Sequence, residues 1–206
     1  TPDVNTISAA EHTIALMLTL SRNIHRGHSS LEKGEWNRNE LVGTELRNKT
    51  LGIVGLGKIG REVMDRCKAF GMSLIGYDPF VNQDMFNKDE IVIVDLDTLT
   101  QSADYITLHV PLNDKTRDLF NYNRLCSMKP TSRIINVARG GIINEEDLAK
   151  AVKDGNIAGA AIDVFTSEPI DGTHPLVGIQ NIVLSPHLGA STKEAKEGVS
   201  RAVCEQ

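Results

Sequence analysis

"GIVGLGKIG", Gly52 to Gly60, is the stretch whose reading decides the fold. A short apolar run enters glycines at positions 55, 57 and 60, spaced G-x-G-x-x-G, and a segment with helical spacing follows from Ile59 to Phe70. The pattern alone is weak, but placed between a strand and a helix it gains specific meaning. Gly55 permits a tight turn, Gly57 lets backbone come close to a pyrophosphate, and Gly60 lets the helix pack near the strand. The free N–H groups at a helix start then face negative charge. Lys58 and Ile59 are expected beside the pyrophosphate, Ile59 through its backbone and Lys58 also through its charge.

Working outward, the same rhythm recurs. "TLGIVGLG", "MSLIGYD", "IVIVD", "YITLHVP", "RIINVARGG", "AGAAIDVF" and "NIVLSPH" are short apolar runs with Gly, Asp or Pro at or near their ends, each reading as a strand buried on both faces. Helical patterns lie between them at Ile59 to Phe70, Leu96 to Ser102, Tyr122 to Met128 and Glu145 to Asp154, the last with Asn144 as cap and Gly155 as stop. Alternation of this kind predicts an α/β fold with a doubly wound parallel sheet, its core over residues 50–190. Before it, Ser8 to Ile24 has helical spacing with a capping box at Ser8 and Glu11, and residues 8–26 are read as one opening helix. Gly34 to Lys49, with the only tryptophan, Trp36, reads as a polar connection. The chain starts at Thr1 and still reads as helical over 191–206, so it is expected to be part of a longer protein.

Composition removes several classes. At 206 residues with 40% hydrophobic content the chain can bury a sizeable core. A net charge of −5 and only 4% aromatic residues argue against nucleic acid as partner, which needs clustered Lys and Arg. The longest early apolar run, Ile14 to Leu20, is too short to span a bilayer. Cys67, Cys126 and Cys204 lack metal-ligand or disulfide spacing, so neither a metal site nor a disulfide framework is expected, and a reducing cytoplasm is the simplest location.

In an open parallel sheet, ligands bind at the carboxyl ends of the strands. The second strand ends at Asp78, eighteen residues beyond Gly60, where a carboxylate can accept from ribose hydroxyls and repel a 2′-phosphate. This favours NAD over NADP. The later strands deliver His109-Val110-Pro111, then Val137-Ala138-Arg139, then Asp163 leading to Glu168, and finally His187. Oxidation of a secondary alcohol by hydride transfer needs a base for the hydroxyl proton, and imidazole suits that near neutral pH. Glu168 can orient the His187 ring and favour its charged form. The Arg139 guanidinium can hold a substrate carboxylate by two hydrogen bonds. His109 reads as structural or cofactor-lining more readily than as catalytic, and Asp163 either meets the nicotinamide or its ribose or simply ends a strand. Gly189 and Ala190 are small enough for a carboxamide to approach their backbone.

With these residues in place, the chain resembles the nucleotide-binding domain of the D-2-hydroxyacid dehydrogenases. The resemblance is carried by "GTELRNKTLGIVGLGKIGREV" (Gly43 to Val63), "NVARGGIINEEDL" (Asn136 to Leu148), "AGAAIDVFTSEP" (Ala158 to Pro169) and "SPHLGASTKEA" (Ser185 to Ala195), in family order. It implies a Rossmann-type single nucleotide-binding domain whose substrate domain is largely absent from these 206 residues. It also implies NAD as cofactor and Arg139, Glu168 and His187 as catalytic residues. Implied cofactor contacts are Lys58, Ile59, Asp78, Val137, Ala138, Arg139, Asp163 and His187 to Ala190. The implied substrate is a small 2-hydroxy acid, 3-phosphoglycerate first, oxidised on the way to serine, with hydroxypyruvate, glyoxylate or D-lactate as alternatives. The opening helix resembles the segment through which family members pair, which implies a homodimer. An NAD-sensing corepressor-like interaction protein is the alternative of another class.

Overall fold

A computed structural model of the chain describes residues 5–197. All seven apolar runs form strands: β1 (Thr50–Val54), β2 (Ser73–Tyr77), β3 (Val92–Ile93), β4 (Tyr105–Leu108), β5 (Arg133–Asn136), β6 (Gly159–Ile162) and β7 (Ile182–Leu184). They pair in the order β3-β2-β1-β4-β5-β6-β7, every pair parallel. A parallel neighbour must be re-entered from the far edge of the sheet, so the chain crosses over, mostly through helices. α3 (Lys58–Ala69) links β1 to β2, α4 (Leu96–Ser102) links β3 to β4, α5 (Tyr122–Cys126) precedes β5, and α6 (Glu145–Lys153) links β5 to β6. From β1 the order runs one way to β3 and the other way to β7. A crevice opens at the carboxyl ends where that direction reverses.

Alternate strand residues feed two cores, one on each face. Leu51, Ile53, Tyr105, Ile135 and Ala161 pack with Met17 and Leu20 of α1 (Thr6–Ser21) and with Val63 and Cys67 of α3. Val54, Ile106, Leu108, Ile134 and Ala160 pack with Leu99 of α4, Leu125 of α5 and Leu148 of α6. Burying an aliphatic side chain of this size stabilises the fold by roughly 1.5–3 kcal/mol, so loss of either layer would be decisive. The third glycine of the motif is required by this packing: a Cβ at Gly60 would lie 2.1 Å from the Gly55 carbonyl oxygen.

The opening unit differs from expectation. The helix read from Ser8 to Ile24 is two helices, α1 and α2 (Ile24–Glu32), broken at Asn23, whose φ of 54° is left-handed. Ser8 does not cap. Asn5 precedes the first turn, and Ser8 is buried within α1 with its hydroxyl 2.8 Å from that of Thr192. A long-range contact has claimed the residue that a local pattern assigned to capping. α1 lies against α3 and the sheet, whereas α2 has no buried residue, so the two halves of the expected pairing element differ in availability. At α6 the local reading holds: the Asn144 side chain accepts from Asp147 N–H at 3.1 Å, and Gly155, with φ 73°, follows the helix end. Residues 193–197 are helical, and the remainder of the helix expected over 191–206 lies outside the described residues. Among the described residues no helix is long and apolar enough to cross a membrane.

Substituting Gly60 by Ala is expected to lower the free energy of unfolding by about 2 kcal/mol or more, because the added methyl cannot avoid backbone. Urea unfolding measures this, and unchanged stability would mean the β1–α3 turn is looser than described.

Candidate active site

The site is assembled from loops that leave the carboxyl ends of the strands. After β1 the chain turns at Gly55, whose φ of 97° is open to glycine but strained for other residues. Asp78, at the end of β2, braces this turn: one carboxylate oxygen accepts from Leu56 N–H at 2.9 Å and the other from Phe80 N–H at 3.0 Å. Gly57 has no such internal reason. Its φ is −71° and a Cβ there would meet nothing within 4 Å, so neither strain nor packing demands a glycine at the start of α3. What its missing side chain leaves clear is approach to the helix N-terminus from outside.

Beside this turn lies a cleft of about 630 Å³. Its walls come from Ile59 on α3, His109, Val110 and Pro111 after β4, Val137, Ala138 and Arg139 after β5, and His187, Gly189 and Ala190 after β7. Asn5 and Ala9 at the start of α1 complete it. Two polar wall atoms, Asn5 Oδ1 and His109 Nε2, are buried without a hydrogen-bond partner. Leaving such a group unsatisfied costs roughly 1–3 kcal/mol, a cost that a polar ligand in the cleft would remove. Burial pushes the His109 imidazole down to about 4, so this ring is neutral near pH 7. A cleft of this size beside an unobstructed helix N-terminus, with a carboxylate at the end of β2, fits a dinucleotide.

At the mouth of the cleft His187 Nδ1 lies 2.7 Å from Glu168 Oε2. Glu168 is held in turn by Phe165 N–H, which donates to Oε1 at 2.9 Å. The hydrogen bond from His187, opposed by partial burial and aided by the Phe165 N–H, holds the Glu168 carboxyl below the usual glutamate range. With Nδ1 engaged, Nε2 of His187 is the nitrogen left for proton transfer. The ring is 50% exposed, so it is accessible to a substrate. Arg139 sits on an exposed loop fixed from below by Asn136, whose side chain accepts from Ala138 N–H at 3.0 Å and donates to the Arg139 carbonyl at 2.9 Å.

Asp163 is placed differently from the other selected residues. Its side chain is wholly buried. Oδ1 accepts from the Ser185 hydroxyl (2.5 Å), Leu188 N–H (2.8 Å) and His12 Nε2 (3.0 Å), and Oδ2 accepts from Gly189 N–H (2.8 Å). The backbone N–H of His187 donates to the Asp163 carbonyl at 2.8 Å. Three successive N–H groups, from His187 to Gly189, therefore close on one residue. This pattern holds His187 at its left-handed φ of 54°, a conformation costing about 1–2 kcal/mol outside glycine.

Of the residues selected from sequence, Ile59, His109 to Pro111, Val137 to Arg139, His187, Gly189 and Ala190 line the one cleft. Gly55, Gly57, Lys58, Gly60 and Asp78 form the turn and helix start next to it, while Glu168 and Asp163 stand behind His187. Sequence reasoning missed Asn5, Ala9, His12, Asn136 and Ser185. Asn136, a lone amide ending an apolar strand, carried a usable signal; the others come together only through tertiary packing.

The chain matches the sequence model of the family described as "D-isomer specific 2-hydroxyacid dehydrogenase, NAD binding domain" over residues 14–189, and it belongs to that family. It is similar to D-3-phosphoglycerate dehydrogenase of Synechocystis, 49% identical across 100% of this chain and 37% of that protein. Its similarity to the human D-3-phosphoglycerate dehydrogenase is 43% across 100% of this chain and 38% of that protein. The chain thus spans little more than a third of these relatives. Among solved structures, it is similar to an NAD-dependent formate dehydrogenase from Staphylococcus aureus in complex with NAD, with a TM-score of 0.90 at 34% identity over 98% of this chain and 60% of that one. A D-lactate dehydrogenase from Aquifex aeolicus complexed with NAD and lactic acid gives a TM-score of 0.90 at 29% identity, over 100% of this chain and 66% of that one.

Burial by itself would raise the Asp163 carboxyl, but hydrogen bonds from His12, Ser185, Leu188 and Gly189 outweigh it and hold the group below the usual aspartate range. Such a group stabilises the fold fully above its unfolded value of about 4, and that contribution is lost as pH falls through the lower folded value. Asp163→Asn is therefore expected to lower unfolding free energy by about 3 kcal/mol at pH 7. The gap to wild type should hold to about pH 5 and narrow below about pH 4. Denaturant titrations across pH test this; a gap that widens in acid would contradict it.

Proposed function

We propose that this chain is the cofactor-binding part of an NAD-dependent D-2-hydroxyacid dehydrogenase that oxidises 3-phosphoglycerate to 3-phosphohydroxypyruvate, the entry step to L-serine. The observation that carries the chemistry is the 2.7 Å pairing of His187 with Glu168 at a cleft that Arg139 also lines. Similarity to the two D-3-phosphoglycerate dehydrogenases supports the choice of acid over glyoxylate or lactate.

In this reading the first turn of α3 receives the pyrophosphate, with Gly57 leaving its approach clear and Lys58 adding charge. Asp78 accepts from the adenosine ribose and disfavours a 2′-phosphate. Val110, Val137, Ala138, Gly189 and Ala190 enclose the nicotinamide half, and the unpartnered His109 Nε2 and Asn5 Oδ1 supply polar contacts there. Bound NAD supplies the acceptor for the substrate's hydride. Arg139 holds the substrate carboxylate and draws electron density from the carbon that becomes a ketone. His187 Nε2 takes the hydroxyl proton while Glu168 balances the resulting imidazolium through Nδ1. Two electrons and two protons leave the alcohol, as a hydride from the carbon and a proton from the hydroxyl, and the reverse step returns the proton from His187 to the keto oxygen.

A homodimer and a cytoplasmic location belong to the same proposal. α2 and the segment after it expose Ile24, Leu31, Trp36 and Val42, with Trp36 at 79% and Val42 at 82%, a surface on which a second copy can dock.

In the full-length protein, His187→Ala is expected to cut kcat by about a thousandfold or more and to leave the Kd for NAD within about threefold. Asp78→Ala should weaken NAD and narrow the preference over NADP, read as the ratio of kcat/KM values with the two cofactors. Wild-type turnover of 3-phosphoglycerate above that of lactate, glyoxylate or hydroxypyruvate is the expected assay result. NAD binding with no turnover of any of these acids would favour the sensing role and contradict the enzymatic one.

A further inference from the structure

The buried Asp163 carboxylate receives a hydrogen bond from outside the strand-end loops. His12, in the second half of the first two turns of α1, reaches Asp163 Oδ1 at 3.0 Å and lies 3.2 Å from the Ser185 hydroxyl. What His12 reaches is the residue on which the His187 loop is folded. We propose that His12 is a positioning residue: its Nε2–H fixes the Asp163 carboxylate so that this group can hold Leu188 and Gly189 N–H, and thereby keeps the His187 imidazole aligned with Glu168 and the cleft. The inference rests on the functional reading above for its kinetic consequence, but its structural half stands apart from any activity.

The physical case has three parts. Asp163 is fully buried and His12 is 19% exposed, so their hydrogen bond is only weakly shared with water. Oδ1 carries three donors and Oδ2 only one, so removing His12 frees the carboxylate to rotate towards the remaining partners. His187 holds a left-handed backbone that its own side chain does not favour, so small losses in the supporting hydrogen bonds are felt first at that residue. A second link between α1 and the same loop, Ser8 to Thr192 at 2.8 Å, makes α1 a backing for the whole 185–192 segment. That link uses no ionisable group and leaves the carboxylate contact to His12.

The test uses the full-length protein with two substitutions. His12→Met keeps side-chain bulk without a donor, and His12→Gln returns an amide N–H near the position of Nε2. Amide hydrogen exchange at Leu188 and Gly189 is the first readout: about tenfold faster exchange is expected in His12→Met, with His12→Gln close to wild type. The second is kinetic: kcat should fall about tenfold in His12→Met while KM for the acid changes less than about threefold, and His12→Gln should recover most of the loss. If His12→Met does not fold, His12→Asn replaces it, since its amide is too short to reach the carboxylate. Unchanged exchange at Leu188 and Gly189 would overturn the proposal, as would equal effects of the donor-free and donor-bearing variants. A wild-type protein that turns over no 2-hydroxy acid would refute the enzymatic reading and leave the exchange experiment to decide this one.

Discussion

Seven strands running in one direction is the constraint on which everything else depends. Because each parallel pair must be joined by a crossover, every strand ends at the same edge, and the loops that follow are gathered there regardless of their distance in sequence. Gly55, Asp78, Arg139 and His187 span more than half the chain, yet they meet within one cleft and its rim. The two apolar layers, one beneath α1 and α3 and the other beneath α4, α5 and α6, pack on the two faces of the sheet. The geometry of the cleft is a consequence of topology first and of side-chain choice second.

Within that edge, two carboxylates do different work because their surroundings differ. Asp163 is buried and surrounded by donors, and it acts on backbone: it folds the segment from His187 to Gly189 onto itself. Glu168 is partly exposed and acts on a side chain, engaging the ring Nδ1 of His187, a residue that lines the cleft. One carboxylate places the backbone that carries the imidazole and the other engages the ring. On another wall of the cleft, Asn136 shapes the loop that carries Arg139, whose Nη1 donates to the Ala138 carbonyl at 2.6 Å.

The elements most readable in sequence were those with local causes. All seven strands were legible as apolar runs, α4 matched its expected bounds, and the Asn144 cap and Gly155 stop of α6 followed from side-chain chemistry within one turn. Ser8 shows the opposite: its spacing to Glu11 mimicked a capping box, but the hydroxyl is used by Thr192, 184 residues away. The break at Asn23 was hidden for a related reason, since the apolar pattern runs on through Ile24 while the backbone turns. For the site, strand-end logic located the cleft walls and the His187–Glu168 pair. It did not foresee that Asp163 would point inwards, or that His12 would serve it, because neither fact leaves a periodicity or motif behind.

The central claim, that the carboxyl edge is a dinucleotide site with His187 at its reactive end, is tested most directly by mapping amide chemical shifts as NAD is added to the protein. The account predicts perturbations at Gly55 to Gly60, Asp78, His109 and Val110, Val137 to Arg139, and His187 to Ala190, with quiet signals around Thr44, Lys49 and Thr131 at the opposite edge. Perturbations centred on that opposite edge, or none at millimolar NAD, would contradict it.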